Sequence, residues 1–467
     1  MGHAWQEQDF VSRWSGFIVK PVGPEKLIAV IGGGLSGSLT AYHLARKQAQ
    51  VRVVLIEPRA TPGAGLSYFT QSSEHVLNVP AGKISALADE PEHFLCWLHR
   101  HGNAEATADD FVPRAVFGRY LQSLLEGVPG IEHRRTCAIH CRVEGERAVV
   151  GLADGSELYA EAVVLATGNF EPAQLPGVAD EAIASGVYCN SAWQDACFRG
   201  LDPNAPVALV GSGLTAVDAL LRLREVGHRG LVTLISRHGR LPHRHAPYRA
   251  LPQAAIAGEA PRRARDLLRM VHFSLKSGAE WRAVIDSLRP RSNELWQALP
   301  VAEQRRFRRH LQHRWDVARH RMAGRVADRI EAELAAGTLV RRRGCVQAVL
   351  AAADGARLQI RSSGGEVGEL VAARVINCTG PNMNYRRAGS PLLESLFAQG
   401  LALCGPLGSG LWTDGNGALR AEDGSFSRIL FHVGPGRQGT LFESNAVPEL
   451  RVQAQEMALL LTQLGSG

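Results

Sequence analysis

At 467 residues the chain exceeds what a single hydrophobic core organises, so two or three domains are expected. Hydrophobic residues at 45% and charged residues at 21% exclude a disordered or fibrous chain and match an ordinary globular protein. The formal charge of +7 would suit nucleic acid, an anionic surface or small anionic ligands, but with 6% aromatics and no basic motif interleaved with them, nucleic acid is disfavoured.

The opening stretch MGHAWQEQDFVSRWSGFIVK holds no compact apolar core with a small-residue cleavage site. Cysteines stand at positions 96, 137, 141, 189, 197, 345, 378 and 404, too dispersed for a disulfide scaffold. A cytoplasmic location is expected. Cys137 and Cys141 lack further ligands at metal-binding spacing, so no metal is expected. Leu27 to Ala45 carries no charged residue, yet its glycines with Ser36, Ser38 and Thr40 make it too polar to cross a membrane.

Ile28 to Ile31 predicts a buried parallel strand, and Ser38 to Arg46 the helix that follows. Gly32-Gly-Gly34-Leu-Ser-Gly37 lies between them. In such a loop the first glycine permits a tight turn, the second lets backbone approach a pyrophosphate, and the third lets helix pack on strand. The next strand, Val51 to Ile56, ends at Glu57, whose carboxylate would accept hydrogen bonds from a ribose diol. Val163 to Gly168 then reads as a strand closing in a Thr-Gly turn.

The same grammar recurs at Val207 to Val210, where Gly211-Ser-Gly213-Leu-Thr-Ala216 has alanine in the third place. After the strand Leu231 to Ile235, the position equivalent to Glu57 is Ser236, followed by Arg237. A carboxylate would repel a ribose 2′-phosphate, whereas Ser and Arg can bind one, which favours NADPH over NADH at this second loop. Two loops have a rationale if one keeps a flavin dinucleotide, FAD, and the other admits the diffusible nicotinamide that reduces it.

From His245 to Leu339 the chain turns helical, through ARDLLRMVHFSLKSGAEWRAVIDSL, ELWQALPVAEQRRFRRHLQ and VADRIEAELAAG. The basic run Arg305 to Met322 reads as a solvated helix face. The second Thr-Gly ending, Val375 to Gly380, is expected where the chain re-enters the first nucleotide domain. GPGRQGTLFESNA, Gly434 to Ala446, reads as a loop before a helix from Val447 to Leu461, whose N-terminus would face the flavin. The fold class is α/β, with two Rossmann-like dinucleotide-binding domains and a helical insertion. The expected boundaries are 25–205 for the first FAD segment, 206–339 for the NAD(P)H domain with its insert, and 340–467 for the second FAD segment.

Several stretches then carry a family resemblance: Gly65-Leu-Ser-Tyr68, His75 to Ser85 (HVLNVPAGKIS), Phe94 to Trp97, Phe111 to Leu121 (FVPRAVFGRYL), Ser236 to Pro242 (SRHGRLP) and Asn377 to Pro381. The chain resembles the FAD/NAD(P)-binding flavoprotein family that includes FAD-dependent urate hydroxylase and aspartate N-monooxygenase. The resemblance implies FAD contacts at Gly32, Gly34, Gly37, Glu57, Ser67, Asn78, Ala166, Thr167 and Gly168, and NADPH contacts at Gly211, Gly213, Ser236 and Arg237, with NADH as the alternative donor.

The expected activity is a monooxygenase that uses O2, through a C4a-peroxyflavin, to hydroxylate a small nitrogen-containing substrate, urate-like or an amino-acid amine. A small anionic substrate would need cations, for which Arg114, Arg386, Arg387 and Arg437 are the candidates, an ordinary structural role being the simpler reading of each. His243, Arg244 and His245 are read as facing cofactor phosphate or solvent. No nucleic-acid or membrane partner is expected, and a homo-oligomer is compatible with the insert. An NADPH-dependent flavin reductase without oxygen insertion, and a non-enzymatic nucleotide-binding scaffold, remain the alternatives.

Overall fold

The computed structural model describes residues 26–47 and 51–463. The stretch read above for an export signal lies outside the described residues. The apolar runs of the sequence form two parallel sheets. In the first, the order is Ala418–Arg420, Phe426–His432, Ala162–Leu165, Lys26–Ile31, Val51–Ile56, Ile131–Arg134, all parallel except the first pair. Lys26–Ile31 is hydrogen-bonded on both edges and covered on both faces, which is why IAVI carries no polar residue.

The helix Leu35–Arg46 is buried from Leu35 to Leu44. It lies between this sheet and the C-terminal helix Val447–Gln463. A helix covered on every side is apolar all round, and this accounts for the charge-free stretch from Leu27 to Ala45. No described helix is long and apolar enough to cross a membrane.

The second sheet runs Leu339–Arg343, Val232–Ser236, Val207–Val210, Arg374–Asn377, Tyr188–Cys189, all parallel. The boundaries expected at 206 and 339 therefore fall within one sheet. Tyr188–Cys189, Leu339–Arg343 and Arg374–Asn377 all pair in it, so the second unit extends from Tyr188 to Asn377. The two units repeat each other. Each has strand, glycine loop, helix, strand, a helical crossover, an edge strand, a three-stranded antiparallel meander and a strand ending in Thr-Gly. The meanders are Ala138–Glu144, Arg147–Leu152, Glu157–Ala160 and Cys345–Ala352, Gly355–Arg361, Val367–Ala372. The two Thr-Gly endings are thus equivalents, one per sheet. The chain regains the first sheet at Ala418–Arg420 and Phe426–His432, not at Val375 to Gly380.

The insert is the crossover between the second and third segments of the second unit. Its helices are Ala264–Lys276, Trp281–Ser287, Ser292–Ala298, Val301–His310, Gln312–Arg319 and Gly324–Ala335. The stretch ELWQALPVAEQRRFRRHLQ, continuous in its periodicity, is broken at Pro300, which caps the next helix in an extended conformation. The helices enclose a separate core of Ile256, Leu267, Leu288, Leu295, Trp296 and Leu299. Phe442 of the C-terminal segment stacks on Trp296 with ring centres 5.0 Å apart, tying insert to sheet.

The basic run from Arg305 to Met322 is only in part a solvated face. Arg305, Arg306, Arg309 and His310 are exposed, but Arg319 and Arg321 are buried. The Arg319 Nε lies 3.5 Å from the Glu443 carboxylate, and the Arg321 Nη2 donates to both oxygens of Asp286 at 2.6 Å. Burial made these arginines partners of distant carboxylates, which no local pattern encodes.

Arg114 has a comparable fate. Its Nη1 lies 2.7 Å from the Asp218 carboxylate on the helix Leu214–Glu225, and its Nε donates to the Val76 carbonyl at 3.1 Å. The structure therefore places this substrate candidate in the packing between the two nucleotide units. Replacing Arg114 with alanine strands a buried carboxylate, and a loss of about 3 kcal/mol is expected in urea unfolding. The double variant with Asp218→Ala should recover most of it.

Candidate functional site: two glycine cradles and a chamber between them

In the first cradle Gly32 adopts φ +104°, and a Cβ added there would sit 2.3 Å from the Ala166 carbonyl oxygen. At Gly37 the added Cβ would be 1.9 Å from the Gly32 oxygen, so only glycine lets the helix approach the strand. Gly34 caps the helix with extended backbone and no side chain over its end, leaving the first amides of Leu35–Arg46 open to an anion.

Glu57 is 4% exposed, and its carboxylate accepts the Gly33 amide at 2.7 Å and the Arg59 amide at 3.0 Å. These bonds hold it at the end of its strand beside the loop. Thr167 follows Ala166 in the facing turn, and its hydroxyl is buried without a partner among the described residues. An orphaned buried hydroxyl beside an open helix end fits a dinucleotide such as FAD, which would supply the missing acceptor or donor.

Gly168, at φ +69°, closes the turn, and its carbonyl accepts the Tyr385 hydroxyl at 3.1 Å. Ser67 is exposed on the short helix Gly65–Tyr68, which overlies the loop: an added Cβ on Gly65 would stand 3.1 Å from the Gly34 Cα. Asn78 is half-buried, with its carbonyl 3.0 Å from His245 Nε2 across the boundary with the insert.

The second cradle opens on a cleft of about 560 Å³. Gly211, at φ +129°, faces the Cys378 carbonyl, 2.3 Å from an added Cβ, as Gly32 faces that of Ala166. Gly213 has nothing within 4 Å of its added Cβ, so its backbone lines open space. The Ser236 hydroxyl accepts the Gly239 amide at 3.0 Å and lies 2.9 Å from the Ser212 hydroxyl. Arg237 and Arg240 line the cleft, exposed and without a carboxylate partner among the described residues. The free cations and the open glycine suit a dinucleotide bearing an extra phosphate.

A third space of about 600 Å³ lies between the insert and the C-terminal segment. Lys83, Tyr248, Arg289, Asn293, Arg437 and Glu449 are among its walls. Glu449 accepts Arg289 at 2.9 Å through Oε1, while its Oε2 is buried and unpartnered. Lys83 is exposed and forms no ion pair among the described residues. Arg437 does reach this chamber but is 4% exposed, and its Nη2 donates to the Asp414 and Gly415 carbonyls at 3.2 and 2.7 Å. Its guanidinium is engaged with backbone.

The other substrate candidates stand apart from it. Arg386 is exposed and lies over the Phe397 ring at 4.6 Å, and Arg387 is exposed beside it. Of His243, Arg244 and His245, read as facing cofactor phosphate or solvent, the first two are exposed and the third is half-buried. His243 packs at 5.0 Å on Trp281, Arg244 pairs with Asp328, and burial together with Arg321 lowers the His245 imidazole to about 4. The residues that sequence reasoning missed, Lys83, Tyr248, Asn293 and Glu449, come from four separate segments. Lys83 alone lay within a quoted motif.

The Gly434 loop sits where the first helix begins. An added Cβ on Gly434 would be 3.0 Å from the Ser36 hydroxyl, and the Gln453 side chain accepts the Gly434 amide at 3.1 Å. The loop thus joins the first cradle to the chamber.

Comparison with known proteins agrees with this geometry. Residues 29–170 match the family model described as FAD-NAD(P)-binding. An uncharacterized protein of Escherichia coli (strain K12), YdhS, is 25% identical over 218 residues, which is 42% of this chain and 39% of that protein. The match thus spans about two fifths of that curated relative. The ornithine N-hydroxylase KtzI of Kutzneria sp. 744, in a structure with reduced FAD, NADP+ and L-ornithine, superposes with a TM-score of 0.65 at 16% identity, over 95% of this chain and 100% of that one. Ornithine hydroxylase PvdA from Pseudomonas aeruginosa gives 0.62 at 19% identity, over 94% and 99%. The chain has the α/β fold of FAD/NAD(P)-binding flavoproteins, and the resemblance read from its motifs holds at the level of domain and fold.

Proposed function

We propose that the protein is an FAD-dependent, NADPH-consuming monooxygenase that hydroxylates a small nitrogen-bearing substrate. The observation that carries this reading is the pair of equivalent glycine cradles, one closed by Glu57 and one by Ser236 and Arg237, with a separate chamber beside the first. A dinucleotide reductase needs the two cradles. A third space, open to solvent and large enough for a small molecule, supports oxygen transfer to a substrate. The fold shared with ornithine N-hydroxylases adds to that support.

The first unit, with the C-terminal segment, would hold FAD through Gly32, Gly34, Gly37, Glu57 and Thr167, with Ser67 and Asn78 at its edge. The second, Tyr188 to Asn377, would hold NADPH through Gly211, Gly213, Ser236 and Arg237. When bound, FAD supplies the hydride acceptor and the site of oxygen activation. The chain's own work is to orient the nicotinamide, to exclude water and to position the substrate. In the chamber, Lys83 offers a cation to a carboxylate, and the free Glu449 oxygen offers an acceptor to an amine. That combination favours an amino-acid amine over a urate-like anion. We place the activity in the cytoplasm, with O2 and a small molecule as its partners.

Anaerobic stopped-flow reduction of the FAD-loaded protein by NADPH and by NADH tests the reading. Reduction at least about tenfold faster with NADPH is expected, the ratio that one charge-assisted contact supplies. On mixing with isotopically labelled O2 and a panel of amino acids and urate, labelled hydroxylated product should follow NADPH consumption. Reduction with all the oxygen recovered as hydrogen peroxide for every substrate would leave a reductase instead.

A further inference from the structure

Two imidazoles meet in the nucleotide cleft of the second unit, and the proposed reaction gives them no role. His238 lies just beyond the strand Val232–Ser236, and His313 lies on the insert helix Gln312–Arg319. Their rings stack with centres 3.8 Å apart and planes at 18°. The His313 Nδ1 is buried and has no hydrogen-bond partner among the described residues.

The charges facing the pair come from every neighbouring element. Arg237 and Arg240 come from the same loop, Arg343 from the edge strand Leu339–Arg343, and Arg314 from the insert helix. None of these four has a carboxylate partner among the described residues, whereas Arg222, Arg224, Arg244, Arg282, Arg289 and Arg321 elsewhere are all paired. The carboxylate that lines the same cleft is Asp316, one helical turn from His313. Arg237 and Arg240 line the cleft with the two imidazoles, and Arg343 and Arg314 act on them from farther off, so that beside the Asp316 carboxylate the site keeps a positive excess suited to an anion of more than one charge.

We propose that the insert supplies half of the phosphate site: His238 and His313 bind the phosphate monoester of the nicotinamide dinucleotide together with Arg237 and Arg240, and take up a proton from solvent as they do so. This rests on the reading that the cleft holds a phosphorylated nicotinamide dinucleotide. It adds that the contact lies on both walls, so the phosphate draws the insert onto the cleft and NAD+ does not.

Without the anion, burial and the surrounding arginines hold both imidazoles below their ordinary range, His313 at about 4, so the pair is neutral at pH 7. A phosphate dianion in hydrogen-bond reach reverses the balance, because it favours the charged imidazole. Binding then carries one proton, and affinity should rise by up to about tenfold per unit fall in pH across the window of uptake. Asp316 is a competing acceptor, since burial and then Glu443 raise its carboxyl to about 7. The test must separate the two.

The experiment is calorimetric titration of the full-length, FAD-loaded protein with NADP+ and with NAD+ at pH 7.5, in buffers of different ionisation enthalpy. At that pH the phosphate is already almost wholly a dianion. Uptake of about 0.5 to 1 proton per NADP+ is expected, and none with NAD+. His313→Asn and, from the opposite wall, His238→Asn should each weaken NADP+ by about tenfold, abolish the uptake and leave NAD+ binding unchanged. Asp316→Asn should retain the uptake. NADP+ binding without uptake, or uptake lost only in Asp316→Asn, overturns the proposal alone. Failure of NADP+ to bind at all overturns the nucleotide reading as well.

Discussion

Gly37→Ala is expected to yield a protein that unfolds at markedly lower denaturant and does not retain FAD. The added methyl carbon would lie 1.9 Å from the Gly32 oxygen and 3.0 Å from the Ala166 Cβ. Neither can retreat. Gly32 is fixed by the hydrogen bond its amide donates to the Ile56 carbonyl at 2.8 Å, and Ala166 by the one its amide donates to the Ile31 carbonyl at 2.8 Å. Overpacking of this kind costs about 1–3 kcal/mol where neighbours can yield, and the upper end or more is expected here because every obstructing atom belongs to a paired strand or its turn.

Moving the helix away to relieve the clash would also move the open amides from the pyrophosphate, so flavin should be lost with stability. Gly213→Ala is the matched control, since nothing lies within 4 Å of its added Cβ. That variant should keep its fold and its flavin and lose affinity only for the nicotinamide nucleotide. Flavin content after gel filtration and urea midpoints of both variants check the contrast. Full retention of flavin with an unchanged midpoint in Gly37→Ala would show that helix and strand are not in this contact.

The second large effect concerns the union of the insert with the C-terminal segment. Glu443 is 3% exposed and Arg319 5% exposed, with the Nε to Oε1 distance 3.5 Å. The Trp315 indole donates to the same Glu443 oxygen at 3.1 Å, and Asn293 accepts the Phe442 and Glu443 amides at 2.8 and 2.9 Å. Glu443→Leu leaves the Arg319 charge in an apolar setting, with Glu449 only at 3.9 Å, and a loss of about 3–5 kcal/mol is expected.

Arg319→Met with Glu443→Leu removes both charges, and most of the loss should be recovered, because an apolar pair of similar volume needs no desolvation to compensate. Urea unfolding of the two single variants and the double variant measures the coupling directly. A double variant no more stable than Glu443→Leu alone would mean that the carboxylate acts through Trp315 and not through Arg319.

The positions that could be read in advance share one property, which is that their chemistry is local. Gly37 is demanded by its close approach to Gly32, five residues back, and Gly32 and Gly211 by the positive φ of the turns they open. Glu57, Ser236 and Arg237 follow from strand length after each loop. The helical insert declared itself by period, and its break at Pro300 is a matter of one ring and one missing amide hydrogen.

What the sequence determined by itself, then, was the pair of cradles, the class of ligand each suits and the presence of a helical crossover. These follow from backbone geometry, which neighbouring residues set. The tertiary structure alone decided where the charges went. Arg114 and Arg437, substrate candidates whose simpler reading was structural, took that role on partners the sequence did not name: Asp218, and the Asp414 and Gly415 carbonyls. Arg319 and Arg321 sat in a run that resembled a solvated face and were buried against Glu443 and Asp286. His238 and His313 are brought together by the packing of the insert on the second unit's own sheet, and Lys83 is set across a chamber from Glu449 by its docking on the first unit and the C-terminal segment. A charge finds its partner through space across whole domains, and the desolvation that makes the pairing count exists only once those domains have packed.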